Sequence, residues 1–259
     1  MEVTYTKFIP ATLPADIIHA CSELFSTNYG TWSEEGLNPG RQVSMSPSKM
    51  HEMLLFNNNC GVVAAQVDGL LIGHAFFVSF EYTNSGCPQQ RNQQRNQMYW
   101  ITQLVVHADH RGRGIATALL STVASFRKSS LFAIGLVSSH PAAVRALEWA
   151  TGSTCTLAFA QEYAADILVQ IPVPYIKACA DKLVLDESRC LLNTSFFVDH
   201  HIEANAALET RLAKGGWELG QTLPEGHEFF ALCPIKLPSP PPLPSSPGQP
   251  LKTVAPSIV

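Results

Sequence analysis

The ten residues HADHRGRGIA (107–116) set two glycines against two arginines, directly after the apolar run WITQLVV and directly before ATALLSTVASFRK. Glycine lets backbone amides approach a ligand closely and take positive φ. Amides at the start of a helix attract an anion, aided by the helix dipole. Arg111 and Arg113 add the planar, two-pronged donors that suit phosphate. Strand, loop and helix in this order read as a seat for a pyrophosphate, and an ordinary solvated loop is the competing reading. Two nucleotide motifs fit poorly. No GxxxxGK[ST] occurs, which sets the P-loop aside. Gly112-Arg-Gly114-Ile-Ala-Thr117 meets half of GxGxxG, and the next strand ends in SSH rather than in an acid for a ribose.

The elements that position this loop follow from hydrophobic spacing. VTYTKFI (3–9) reads as a strand, and PADIIHACSELFSTNYG (14–30) as a helix with Ile17, Cys21, Leu24 and Phe25 on one face. SPSKMHEMLLF (46–56) reads as a second short helix. VVAAQV and LLIGHAFFVSFEY flank Asp68-Gly69, the signature of a tight hairpin. YWITQLVVH (99–107) is the strand before the loop and 114–128 the helix after it, with Ile115, Leu119, Val123 and Phe126 on one face. LFAIGLVSS is a buried strand, and PAAVRALEWATG a helix opened by proline and closed by glycine. Residues 153–193 carry mixed signals, with IPVPYIKA (171–178) irregular. TSFFVDH (194–200) reads as a strand, 203–216 as a helix and HEFFALCPI (227–235) as the closing strand. The polar run 83–97 reads as a long loop, with Arg91 and Arg95 solvated or facing an acidic partner. The proline- and serine-rich segment 237–259 lacks core residues and is expected to be disordered.

Of the 259 residues, 46% are hydrophobic and 15% charged, enough for a full core. A formal net charge of −4 speaks against a dedicated nucleic-acid binder. No signal peptide and no apolar run of about 18 residues is seen, so a cytoplasmic protein without membrane attachment is expected. Seven scattered cysteines without a CxxC pair read as free thiols, and the adjacent His200 and His201 make no metal site.

Arg111-Gly112-Arg113-Gly114-Ile115-Ala116 matches R-x-x-G-x-G/A, with Leu104-Val105-Val106 just upstream. With the element order over residues 3–152, this segment resembles the acyl-CoA loop of the GNAT superfamily of N-acetyltransferases. The segments YGTW, SSHP, FFVDH and GHEFF resemble fungal GNAT-like proteins in particular. The resemblance implies an α/β (α+β) fold: a mixed, mostly antiparallel central sheet flanked by helices, with an insertion before the last two strands. It implies one domain over 1–236, in which 153–193 covers the acceptor side. It implies acetyl-CoA as the acyl donor, its pyrophosphate and pantetheine held by Leu104, Val105, Val106, Arg111, Gly112, Arg113, Gly114, Ile115, Ala116 and Thr117. Strands 99–107 and 132–139 would splay to admit it, and an amide near Leu104–Val105 would polarise the acyl carbonyl. The amine acceptor would enter opposite, along 29–41 and the late strands, and attack the thioester directly in a ternary complex. The cysteines then need no catalytic role.

Such an amine must be neutral. An alkylammonium with a pKa of about 10.4 is deprotonated about once in 2,500 molecules at pH 7, so a base helps. Where the family often carries Glu or Asp, this chain has Gln103, and Leu147 and Trp149 stand near its usual tyrosine. His140, Glu81 and Tyr99 are the candidates for acid–base work, the first two with structural alternatives, a helix cap for His140 and an exposed strand residue for Glu81. His74, Ser138, Asp199 with His200 and His201, and Glu228 stand behind them; Glu228 either binds a cationic acceptor or is exposed. The leading function is acetyl transfer to a small-molecule amine, with Glu34, Glu35 and Glu81 favouring a cation. A protein or peptide N-acetyltransferase, or a non-catalytic acyl-CoA-binding scaffold using Pro241–Pro244, are the alternatives.

Overall fold

A computed structural model describes residues 2–84, 96–126, 131–199 and 201–235, with the backbone alone for 201 and 202. Arg91, Arg95, His200 and the segment 237–259 lie outside the described residues.

The first part of the chain runs β1 (Thr4–Phe8), α1 (Ala15–Asn28), β2 (Thr31–Trp32), α2 (Pro47–Leu54), β3 (Cys60–Val67) and β4 (Leu70–Tyr82). It continues with β5 (Asn96–Val106), α3 (Ile115–Ser125), β6 (Leu131–Ser138) and α4 (Pro141–Thr151). The hairpin between β3 and β4 turns on Asp68 and Gly69, both at positive φ, as its Asp-Gly sequence requires. The predicted faces are the buried ones: Ile17, Cys21, Leu24 and Phe25 on α1, and Ile115, Leu119 and Val123 on α3.

The remainder runs α5 (Leu157–Gln170), α6 (Pro174–Lys177), β7 (Leu183–Leu185), β8 (Cys190–Asn193), β9 (Val198–Asp199), α7 (His201–Lys214) and β10 (His227–Pro234). Two expectations are corrected here. Residues 194–200 are not a full strand: only Val198 and Asp199 pair, with β2, in a separate two-stranded sheet. The strand beside β10 is β8, inside the segment of mixed signals. That segment also holds a complete helix, α5, capped by Thr156, whose hydroxyl accepts from the Phe159 amide. α5 buries Ala160, Ala164, Ile167 and Leu168, a helical spacing diluted by alanines.

The main sheet has eight strands in the order β1-β3-β4-β5-β6-β10-β8-β7. β5 and β6 are its parallel pair; the other pairs are antiparallel. α3 and α4 pack on each other, α3 over β3–β5 and α4 over β6 and β10. Trp100 on β5 and Phe230 on β10 are both fully buried and meet with ring centroids 5.2 Å apart, forming the floor under the middle of the sheet.

Candidate active site

The β5–β6 ladder starts at Gln97↔Leu131 and stops at Ile101↔Leu136. On the other side of β5, Phe77 pairs with Ile101 and Phe76 with Gln103, so Thr102 is one residue too many. A bulge of this kind bends its strand and sharpens the twist. β5 therefore swings away from β6 immediately past Ile101. The gap opens into a cavity of about 950 Å³, with Leu104, Val105 and Val106 on one wall and Ser138, Ser139 and His140 on the other. Strands 99–107 and 132–139 thus part as anticipated. The Thr102 carbonyl, at the point of divergence, accepts the Tyr175 hydroxyl at 2.9 Å.

At the mouth of the gap, Gly112 and Gly114 take φ of 72° and 81°. A Cβ at either would meet nothing within 4 Å, so it is the backbone conformation, not space, that selects glycine. Gly114 is the N-cap of α3, and the first amide bonded back to its carbonyl is that of Ala118. The amides of Ile115, Ala116 and Thr117 have no partner within the helix, as at any helix start. Those three residues line the cavity with both glycines, an anion seat that suits a pyrophosphate.

The two arginines divide. Arg113 is exposed and does not line the cavity. Arg111 lines it, yet its guanidinium holds protein groups: Nε donates to the Val106 carbonyl (3.2 Å), Nη2 to the Asn28 carbonyl (2.5 Å), and Nη1 faces Glu203 at 3.4 Å. Asn28 completes the brace by accepting the Ala108 amide at 2.8 Å. Arg111 thereby ties the loop to α1 and α7.

The acid–base candidates separate as well. His140 lines the cavity and caps α4: its Nδ1 accepts the Ala142 amide at 3.1 Å, which leaves the ring proton on Nε2. Burial, and then Arg111, lower its pKa. It is neutral and able to donate. Tyr99 is buried away from the cavity, its hydroxyl on the Phe126 carbonyl at 2.9 Å. Glu81 is exposed near the far end of β4, opposite Gln97. Gln103 is turned inward, accepting from His74 Nε2 at 2.8 Å, and burial lowers the His74 pKa to about 4.

On the acceptor side the cavity wall holds Tyr29, Gly30, Thr31, Gln42, Asp199 and Glu203. Glu34 and Glu35 are exposed and outside it. Behind Tyr29 stands Glu228, only 9% exposed, its Oε2 accepting the Thr194 hydroxyl at 2.9 Å. Sequence reasoning treated Glu228 as exposed or cation-binding and overlooked Tyr175 and Thr194. One signal was available: Glu228 opens the continuous apolar run FFALC, which reads as a strand buried on both faces. Among the described residues no group of three or more His, Cys, Asp and Glu is placed to hold a metal ion. No helix among them is long and apolar enough to cross a membrane.

A family model described as the acetyltransferase (GNAT) family matches residues 19–148. No curated protein matches the chain. Among solved structures, it is similar to a ribosomal-protein-alanine N-acetyltransferase from Brucella melitensis biovar Abortus. That match has 22% identity and a TM-score of 0.32, over 48% of this chain and 71% of that one. It is also similar to an aminoglycoside acetyltransferase from an uncultured soil metagenomic sample, with 18% identity and a TM-score of 0.36, over 52% and 79% of the two chains.

Proposed function

Because the chain belongs to the acetyltransferase (GNAT) family and is an N-acetyltransferase, we propose that it moves the acetyl group of acetyl-CoA to the primary amine of a small cationic molecule. The observation that carries this is the parting of β5 from β6 at Ile101, with the first turn of α3 at the mouth of the gap. Bound acetyl-CoA would supply an activated thioester acyl group. The amides of Ile115, Ala116 and Thr117, with Gly112 and Gly114, would hold its pyrophosphate, and Leu104, Val105 and Val106 would run beside its pantetheine arm. Arg111 keeps that loop in place through α1 and α7, and Arg113 adds positive charge outside the cavity. An amide of Leu104 or Val105 would polarise the acyl carbonyl. The acceptor would meet the thioester from the side of Tyr29, where the Asp199 carboxylate favours a cation. Holding donor and acceptor together removes the entropic cost of a bimolecular encounter. A volume of about 950 Å³ is at the upper end for ligand pockets and suits two small ligands together.

Thermal melting with acetyl-CoA, with NAD and ATP alongside, tests the reading. Acetyl-CoA at about 100 times its dissociation constant should add roughly 2.7 kcal/mol of stability. Thr117→Glu places a carboxylate in the first turn of α3, where it suits the helix and repels a pyrophosphate. The variant should fold normally and lose about half of the shift or more. Absence of a shift in the wild type, or one seen only with NAD or ATP, sinks the proposal. Thiol release with spermidine, glucosamine and an alanyl peptide as acceptors then separates small amines from peptides.

A further inference from the structure

We propose that Glu228 accepts the proton of the incoming ammonium, at the place where Tyr29, Tyr175 and Thr194 converge beside the cleft. This rests on the acetyltransferase reading above.

Four segments far apart in sequence meet here. β10 sets Glu228 next to Phe229, the partner of cavity-lining Ser138 on β6. Tyr29, at the end of α1, forms the cavity wall in front of the carboxylate. Tyr175 of α6 is bonded to the Thr102 carbonyl, where β5 leaves β6. Thr194, just after β8, donates to Oε2. Among the described residues no Arg, Lys or His pairs with Glu228, unlike buried Glu148, which Arg145 and Arg211 hold at 3.2 and 2.6 Å. Among the described residues, then, one buried carboxylate is neutralised by two guanidiniums, and another stands without a cationic partner behind cavity-lining Tyr29. An unpaired buried carboxylate costs stability and is a feature of sites that move protons.

The titratable groups facing Glu228 are Tyr29 from α1, Tyr175 from α6 and Cys179 just beyond it. Burial raises all three, so none is charged near neutrality. Burial likewise raises the Glu228 carboxyl to about 7, with the Thr194 hydrogen bond pulling the other way. A base is most effective when its pKa lies near the working pH.

The step balances. The ammonium gives one proton to the Glu228 carboxylate. The freed nitrogen lone pair forms the bond to the acyl carbon while the carbon–sulfur bond breaks. The second nitrogen proton leaves with the thiolate sulfur, and Glu228 returns its proton to solvent. One amide, one thiol and one proton result.

The test compares pH profiles of kcat/KM for wild type, Glu228→Gln and Thr194→Val, using the best acceptor among spermidine, glucosamine and the alanyl peptide. Acetyl-CoA melting shifts are recorded for each protein. Glu228→Gln should keep its acetyl-CoA shift, lose roughly 100-fold in kcat at pH 7 and recover toward pH 10, where the amine is neutral unaided. Thr194→Val should move the acid limb to higher pH, an effect loosened packing would not produce. That limb decides the matter if Glu228→Gln does not fold. A Glu228→Gln profile of wild-type shape, a loss confined to KM, or an unmoved limb in Thr194→Val overturns the proposal. So does a wild type that binds acetyl-CoA yet turns over none of the three amines. Failure of acetyl-CoA to stabilise the wild type instead removes the acetyltransferase reading itself.

Discussion

The two sides of the cleft are built in opposite ways. The loop side is nearly continuous chain, residues 104–117, and offers mostly backbone: amides at a helix start and two glycines at positive φ. The acceptor side is side chains, with Tyr29 in the cavity wall and Tyr175, Thr194 and Glu228 behind it, delivered by four elements spread along the sequence. Backbone chemistry needs neighbours in sequence, because consecutive amides must point one way. Side-chain chemistry needs only neighbours in space. One side therefore leaves a short motif behind, and the other leaves isolated letters.

Trp100 and Phe230 join β5, which carries the loop side, to β10, which carries Glu228, so removing that contact should fail both sides together. Trp100→Ala should cost about 3–5 kcal/mol in urea denaturation, the usual loss for a fully buried large aromatic. A smaller loss confined to one ligand would mean the two sides are mechanically separate.

Thr117→Glu touches the loop side alone. It should weaken acetyl-CoA binding at least about tenfold, or roughly 1.4 kcal/mol, by calorimetric titration. The pH profile of residual transfer should stay that of the wild type. A shifted profile would show that the two sides are electrostatically one.

Two buried groups should also pull the pH dependence of stability in opposite directions. His74 has a folded pKa near 4 against an ordinary 6.5, so the unfolded chain binds more protons between these values and stability falls as pH drops through that window. Glu228 is raised from 4.5 to about 7, so its contribution is fully present below 4.5 and is lost as pH rises through 7. Replacing Glu228 with Gln removes the second effect only. The stability of the variant relative to wild type should climb between pH 4.5 and 7, by at most about 1.4 kcal/mol per unit, in denaturation series at several pH values. A flat difference would show that Glu228 is not protonated on folding.

The smallest effect is expected where the two sides touch. Arg111→Ala removes an ion pair with exposed Glu203 and hydrogen bonds to Val106 and Asn28. The stability loss should be about 1 kcal/mol or less by thermal melting. Acetyl-CoA affinity should drop a few-fold through a looser loop. A loss as large as that of Thr117→Glu would give Arg111 a direct hold on the ligand.

The same contrast explains what the sequence disclosed. The loop, the strand before it, the helix after it and the element order from β3 to α4 were legible because each rests on local spacing or turn chemistry. The helix α5 was obscured because alanines at 160 and 164 weaken its apolar stripe, although Thr156 marks its start. β8 is only four residues long, too short for alternation to declare it, while the more aromatic TSFFVDH drew the assignment. His140 and Tyr99 were visible as residue types, but only geometry shows that the first caps α4 and the second bonds the end of α3. Glu228 was visible as a letter, yet nothing local tells that Tyr29 and Tyr175 stand against it.

Thr102 carries a consequence for how such a chain can change. The cleft exists because β5 contains one residue more than its partner can match, so what opens it is a count, not a chemical identity. Substitutions at 102 leave that count intact. Deleting the codon would leave Ile101 and Gln103 opposite Phe77 and Phe76 in even register, and would remove the bend that parts β5 from β6. Gene-level gains and losses of single codons in this strand are therefore a sharper threat to the site than most point substitutions.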